Sequence, residues 1–305
     1  MQEIDHGGGL DAAAQRYGGG RADWLDLSTG INPRPYPLPM LPADAWTALP
    51  DRAAAEALEQ AARAFWRVPD GAAVLAAPGA SALIARIPAL RPPGRVSIVG
   101  PTYNEHAHAF RAAGWEIAPD ADAAVVVHPN NPDGRLWRNA PAPFQIIDES
   151  FCDICPEESR IDLAARPGVI VLKSFGKFWG LAGLRLGFSI GDPELIRRLA
   201  TMLGPWPVSG PALAIGTSAL NDVAWAQETR TRLARDAARL DALVGARVVG
   251  GTPLFRLYEV DDAAAWQDRL ARHRIWTRIF PYSRTWLRLG LPDGDGWDRL
   301  EGALR

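Results

Sequence analysis

Leu172-Lys173-Ser174-Phe175-Gly176-Lys177-Phe178-Trp179-Gly180-Leu181-Ala182-Gly183-Leu184-Arg185-Leu186-Gly187 reads as an apolar strand ending at Ser174 and a glycine-punctuated turn that presents Lys177. Arg185 follows eight residues later, and a second apolar run, Leu186–Ile190, begins directly after it. A hydroxyl, an amine and a guanidinium thus converge at one strand end. Serine and arginine suit a phosphate, which an arginine can bind bidentately. A lysine beside them suits an imine with an aldehyde, because its amine can lose a proton where a guanidinium does not.

Composition sharpens that reading. Of 33 basic residues only Lys173 and Lys177 are lysine, and the other 31 are arginine. Where arginine has replaced lysine almost everywhere, a remaining lysine is a candidate for chemistry arginine cannot do. The 305 residues are 48% hydrophobic and carry a net charge of −2. That length and composition fit a large domain plus a small one, and the charge gives no footprint for nucleic acid or an anionic membrane. No apolar run approaches the ~18 to 20 residues of a spanning helix. The acidic start, Met1-Gln2-Glu3-Ile4-Asp5, does not read as a signal peptide. A soluble cytoplasmic protein is expected. Cys152 and Cys155 form C-x-x-C, but without a second pair they read as two partly buried thiols.

Outward from the lysine segment, short apolar runs alternate with helical stretches. Ala73–Ala76, Val96–Val99, Ala123–Val127, Phe144–Ile147, Val169–Leu172 and Leu186–Ile190 read as strands. Asp51–Arg67, Gly79–Leu90, Tyr103–Ala113, Pro193–Leu203, Val208–Leu220 and Asp222–Leu243 read as helices. The alternation predicts an α/β sheet covered on both faces. Beyond it the pattern changes to a small α+β domain, with strands at Val248–Val249, Leu254–Tyr258, Ile275–Ile279 and Trp286–Leu289 and helices at Ala263–Arg272 and Trp297–Leu304. Residues 1–50 read as an extended arm with a short helix at Leu10–Tyr17.

The strand ends carry further chemistry. His128-Pro129-Asn130-Asn131-Pro132-Asp133-Gly134 is a turn, and Ile147-Asp148-Glu149-Ser150-Phe151 puts an acid at a buried strand end. Pyridoxal 5'-phosphate (PLP) needs a carboxylate beside its pyridine nitrogen, because the protonated ring is the better electron sink. An asparagine amide can serve its phenolate oxygen. Pro78-Gly79-Ala80-Ser81 joins a strand to a helix and offers backbone N–H groups to a phosphate. Pro101-Thr102-Tyr103 opens the next helix and can lay a ring over a flat cofactor. His106 and His108 lie two apart on that helix, do not share a face, and are expected at the surface.

This order resembles the fold-type I PLP enzymes of the aspartate aminotransferase superfamily, from about Asp26 to Leu291. The resemblance implies a PLP-dependent transferase fold: a large domain with a mainly parallel seven-stranded sheet and a small α+β domain. Residues 1–33 would form an arm joining the small domain, 34–220 the PLP domain and 221–305 the small domain. Lys177 would carry PLP as a Schiff base, and Ser174, Arg185, Gly79, Ala80 and Ser81 would hold its phosphate. Asp148 would pair with the pyridinium, Asn131 would face the phenolate oxygen, and Tyr103 would stack on the ring. Lys173 would be a strand-end bystander. Arg288, in Trp286-Leu287-Arg288-Leu289-Gly290, matches the arginine that clamps a substrate α-carboxylate.

Within the superfamily two families are similar, the histidinol-phosphate aminotransferases and the L-threonine-O-3-phosphate decarboxylases of cobalamin biosynthesis. His6-Gly7-Gly8-Gly9, Tyr17-Gly18, Asp26-Leu27-Ser28-Thr29-Gly30-Ile31-Asn32-Pro33 and Phe151 look like the decarboxylases. That likeness implies a carbon–carbon lyase acting on an amino acid phosphate, with His6 and Asn32 on the substrate phosphate and a homodimer as the working form. The alternatives are an aminotransferase and a non-catalytic partner in corrinoid assembly. Leu49-Pro50 departs from the pattern, since related enzymes often carry a tyrosine there that reaches a neighbouring subunit's cofactor phosphate.

Overall fold

The computed structural model describes residues 7–138 and 142–305. The chain divides into two compact units. One gathers the chain up to Arg34, Pro132–Arg135 and Glu228–Arg305, and the other Pro35–Asn131 and Leu136–Gln227. In chain order, α1 (Leu10–Tyr17) and β1 (Leu25–Asp26) belong to the first unit. The second supplies α2 (Asp44–Thr47), α3 (Arg52–Trp66), β2 (Ala73–Ala77), α4 (Ala80–Ile84), β3 (Arg95–Ile98), α5 (Asn104–Ala112) and β4 (Glu116–Ile117). It continues with β5 (Ala123–Val127), β6 (Phe144–Asp148), β7 (Val169–Ser174), β8 (Gly187–Gly191), α6 (Pro193–Leu203) and α7 (Gly210–Asn221). Helix α8 (Val223–Val244) leads back to the first unit, followed by β9 (Arg247–Thr252), β10 (Phe255–Glu259), α9 (Ala263–Arg272), β11 (Ile275–Trp276), β12 (Arg278–Phe280), β13 (Ser283–Gly290) and α10 (Gly296–Leu304).

The second unit is built on a seven-stranded sheet in the order β2-β8-β7-β6-β5-β3-β4. All neighbours pair in parallel except β8, which is antiparallel to both β2 and β7. Strands β5 and β6 are buried along their whole length, which explains their unbroken apolar runs. One face packs Ile146, Ile170, Leu172 and Val125 with Leu83 from α4, Phe110 from α5 and Leu195 from α6. Because β2, β3, β5, β6 and β7 run in one direction, their carboxyl ends lie along one edge of the sheet. Ligands of open α/β sheets bind at that edge. The turns carrying Gly79, Tyr103, Asn131, Asp148 and Lys177 all leave from it.

The first unit holds an antiparallel sheet, β12-β13-β10-β9, and a short parallel pair, β1-β11. Pro132–Arg135 joins it because the Gly251 N–H donates to the Asp133 carbonyl at 2.8 Å. Gly134 has φ +72, and a Cβ there would sit 1.9 Å from the Gly251 carbonyl oxygen, so only glycine fits.

The expected α/β architecture and seven-stranded sheet are present. Strands β1 and β4 and helix α2 fall where no element was expected, and two expected elements break up. The helix expected at Gly79–Leu90 breaks into α4 and a 3-10 turn, Ile87–Leu90, because Pro88 has no N–H to continue the ladder. The strand expected at Ile275–Ile279 divides, β11 pairing with β1 and β12 with β13.

Candidate active site

Asp148 ends β6 and is buried. The His106 Nε2–H donates to its Oδ2 at 2.7 Å, and the Ser150 N–H and Oγ–H donate to its Oδ1 at 2.9 and 2.6 Å. Burial alone would raise its pKa, but the His106 hydrogen bond and charge and the two Ser150 bonds outweigh it. The carboxyl is held below its ordinary value. His106 was expected at the surface and is instead buried against Asp148. Its signal was helical spacing: Tyr103, His106 and Phe110 fall on one stripe of α5. His108 is exposed.

Tyr103 caps α5, its ring edge-on to His106 at 6.1 Å. Its hydroxyl is pushed up to about 12 by burial, then by the charges of Glu105 and Asp148, with Arg185 opposing. Tyr103 therefore lies within electrostatic reach of two other expected cofactor residues. The loop before it is tied to the turn after β5. Thr102 Oγ1 donates to Asn130 Oδ1 at 2.6 Å, and Asn130 Nδ2 donates to the Pro101 carbonyl at 3.0 Å. Asn131, half-buried, follows directly.

On β7, Ser174 Oγ accepts the Gly176 N–H at 3.2 Å and shapes the turn into Lys177. Lys177 Nζ lies 5.4 Å from the centre of the Phe151 ring, three residues beyond Asp148. Arg185 takes a left-handed φ of 53°, uncommon for a non-glycine residue. Its guanidinium lies against the start of α4: a Cβ on Gly79, itself at φ +84, would meet Arg185 Nη2 at 2.5 Å. A Cβ on Gly187 would meet the Ala80 nitrogen at 2.4 Å. Two glycines thus let an arginine, a strand and the Gly79-Ala80-Ser81 turn close on one another, leaving a small cradle of donors. Cradle, amine and anionic carboxylate together fit PLP.

Behind this edge lies a second cluster. Lys173 is buried, with Nζ 2.6 Å from Glu149 Oε2 and 3.8 Å from Asp153 Oδ1. Glu149 also accepts the Ser159 hydroxyl at 2.6 Å and the Arg160 N–H at 2.5 Å. Asp153 accepts the indole N–H groups of Trp66 and Trp179 at 2.8 and 2.9 Å. Burial opposes the ammonium, but Glu149, Asp153 and Cys152 outweigh it and hold Lys173 above its ordinary value. Lys173 is no bystander. Cys152 is buried and Cys155 partly so. Bonding to Cys155 and then burial push the Cys152 thiol up. His128, Glu149 and Cys152 offer metal-ligand atoms within 4.8 Å of one another. His128 is committed, however: Nδ1 accepts the Trp137 N–H at 3.0 Å, so Nε2–H donates to the Glu158 carbonyl at 2.7 Å.

The expected substrate residues belong to the first unit. His6 lies outside the described residues. Asn32 is buried, and its Oδ1 accepts the Arg34 N–H at 3.1 Å and Arg232 Nη2 at 2.8 Å. Arg288 is buried on β13 over the Phe255 ring, 5.2 Å from its centre. Burial, then the charge of Arg278, pull it down to about 10. Arg278 stands opposite Arg288 in the β12–β13 register. Sequence reading missed it because a register irregularity between Ile279 and Phe280 sets that pairing.

Comparison with known proteins identifies the chain's family. The family of class I and II aminotransferases matches residues 143–298. A threonine-phosphate decarboxylase of Sinorhizobium sp. is 44% identical over 99% of this chain and 97% of its own length. The Pseudomonas aeruginosa threonine-phosphate decarboxylase is 42% identical with the same coverage. A histidinol-phosphate aminotransferase of Mycobacterium tuberculosis is 33% identical over 61% of this chain and 59% of its own length. Among solved structures, the Sinorhizobium meliloti histidinol-phosphate aminotransferase in complex with pyridoxal-5'-phosphate superposes with TM-score 0.82 at 18% identity, covering 99% of this chain and 95% of that one. The L-threonine-O-3-phosphate decarboxylase of Porphyromonas gingivalis gives 0.73 at 19%, covering 91% and 97%. The chain belongs to the class I and II aminotransferase family, on the branch of the threonine-phosphate decarboxylases.

Proposed function

We propose that the chain decarboxylates L-threonine O-3-phosphate to (R)-1-amino-2-propanol phosphate, the linker precursor of cobalamin, with PLP carried by Lys177. Full-length similarity to two threonine-phosphate decarboxylases carries this reading. Bound PLP supplies an electron sink for the pair left when a bond to the substrate Cα breaks.

The chain's own residues supply the rest. Asp148, kept anionic by His106 and Ser150, holds a proton at the pyridine nitrogen. Asn131 serves the phenolate oxygen and Tyr103 covers the ring. Ser174, Arg185 and the Gly79-Ala80-Ser81 turn hold the cofactor phosphate. Lys177 would hold the cofactor through its amine and, displaced from it by the substrate amine, would be the acid that returns a proton to Cα once CO2 has left. Arg288 orients the α-carboxylate. The substrate carries two anionic groups, and Arg278 opposite Arg288 is a second cation suited to its phosphate, alongside His6 and Asn32.

A homodimer is part of the proposal. Leu38, Met40, Trp46, Leu49 and Trp206 are each more than half exposed on the second unit, an apolar surface that a second copy would cover. Trp206 also lines a groove of about 380 Å³ with Pro50, Arg52, Leu75 and Phe188. Its place beside α3 and β2 suits an interface. Changing Trp46 and Trp206 together to glutamate is expected to leave monomers by light scattering.

The test of the reaction is product analysis of PLP-loaded protein given L-threonine O-3-phosphate, with Lys177→Ala as control. CO2 and aminopropanol phosphate are expected, and absent in the control. A keto product that requires 2-oxoglutarate would make the chain an aminotransferase instead.

A further inference from the structure

The segment just before α1 is stitched within the first unit at Ser28 and Trp276. The Gly8 N–H donates to Ser28 Oγ at 2.7 Å. Ser28 Oγ donates to Asp26 Oδ1 at 2.6 Å, and the same oxygen receives the Ser28 N–H at 2.9 Å. On its other side, the Ser28 carbonyl accepts Arg288 Nη2. Trp276, paired with Asp26 in the β1–β11 register, donates its indole N–H to the Gly8 carbonyl at 2.9 Å. Gly7 completes the stitch: a Cβ there would meet the Ser28 carbonyl oxygen at 2.5 Å and Arg288 Nη2 at 3.5 Å. Gly7 therefore passes over the contact between Ser28 and Arg288 with no room for a side chain.

We propose that Ser28 is a positioning residue that couples the Gly7-Gly8 end of the arm to the anion-binding guanidinium of Arg288. Its hydroxyl reads the arm, its carbonyl fixes one nitrogen of the arginine fork, and Asp26 holds both in one orientation. A guanidinium binds a carboxylate bidentately only when the plane of its fork is set. A backbone carbonyl on Nη2 sets that plane, and the Ser28 hydroxyl sets the carbonyl. When the arm leaves, Ser28 loses the Gly8 donor and Arg288 loses its fixed plane. Binding of the anionic substrate is thereby tied to whether the arm is seated. The inference rests on Arg288 as the carboxylate clamp, but the coupling itself is a property of the first unit.

Two variants approach the carbonyl from opposite sides. Ser28→Ala removes the hydroxyl that holds Gly8, and Gly7→Ala wedges a methyl against the Ser28 carbonyl. Both are expected to raise KM for L-threonine O-3-phosphate about three- to tenfold, the worth of one lost hydrogen bond, while kcat moves less than about twofold. Ser28→Thr keeps the hydroxyl and is expected to restore most of the difference. A readout independent of the reaction is the rate at which an α-dicarbonyl such as phenylglyoxal modifies Arg288, followed by peptide mapping. It should rise in both variants and fall back in Ser28→Thr. A wild type that shows this pattern of modification but does not decarboxylate the substrate defeats the proposed function and leaves the coupling standing. Arg288 modified at the wild-type rate in both variants, or KM unchanged, overturns the coupling.

Discussion

Strands β6 and β7 end in two buried charge clusters that share a backbone and differ in almost everything else. On the α5 face stands Asp148, held by His106 and Ser150. On the α3 face stand Glu149 and Asp153, held by Lys173, two tryptophans, Ser159 and the Arg160 amide. Asp148 lies opposite Leu172 in the register, and the Glu149 N–H donates to the Leu172 carbonyl, so the clusters are one residue apart on each strand. Lys173 supplies the second cluster with a permanent cation. Among the described residues no lysine or arginine pairs with Asp148. A cluster closed by its own cation is complete as protein. A buried carboxylate held anionic by neighbours that fix its orientation suits a cationic ligand atom such as a protonated ring nitrogen.

The comparison is broken most forcefully through the two lysines. Lys177→Ala should cut turnover by at least about 10,000-fold while leaving the apoprotein's melting temperature near wild type, because Lys177 is only partly buried. Lys173→Met should do the reverse, losing roughly 3 to 5 kcal/mol of stability by denaturant titration, because it strands Glu149 and Asp153 without their cation. Wild-type stability in Lys173→Met would show that the two carboxylates need no counter-charge. Lys173→Arg sharpens the point. It keeps the charge but must fit a longer planar head beside the Trp66 ring, 5.6 Å from Nζ, and should still cost roughly 1 to 3 kcal/mol. That cost explains a second lysine in a chain otherwise given to arginine.

The sequence made one cluster far more legible than the other. Lys177, Ser174, Asp148 and Asn131 sit at strand ends marked by apolar runs and turn residues, so order alone brought them to one edge. The Lys173 cluster is written in ordinary residues. Trp66 lies 87 positions from Asp153 and Trp179 lies 26, and nothing local pairs them. His106 was legible in principle from its stripe on α5. The arm around Ser28 was not, because two-residue strands such as β1 and β11 carry no periodicity. Helices with strong periodicity, such as α6 and α9, came out at their expected limits, while Pro88 divided a helix whose pattern ran straight through it.

A smaller effect separates the clusters by pH. Asp148 is depressed in the folded protein, so it contributes stability that is full above the unfolded carboxylate value of ~3.9 and is lost as pH falls through its lower folded value. His106→Gln removes the imidazole and leaves the burial, which acts the other way. The gap between wild type and His106→Gln should be widest near neutrality and close on the acid limb. Lys173 is raised in the folded protein, so its contribution is full below the unfolded lysine value of ~10.4 and is lost as pH rises through the higher folded value. The gap between wild type and Lys173→Met should hold through neutrality and close on the alkaline limb. Guanidinium midpoints measured from acid to alkaline pH for the three proteins decide the matter. If the His106→Gln gap closes on the alkaline limb, or the Lys173→Met gap stays open there, the division between a site prepared for a ligand and a site closed by its own cation fails.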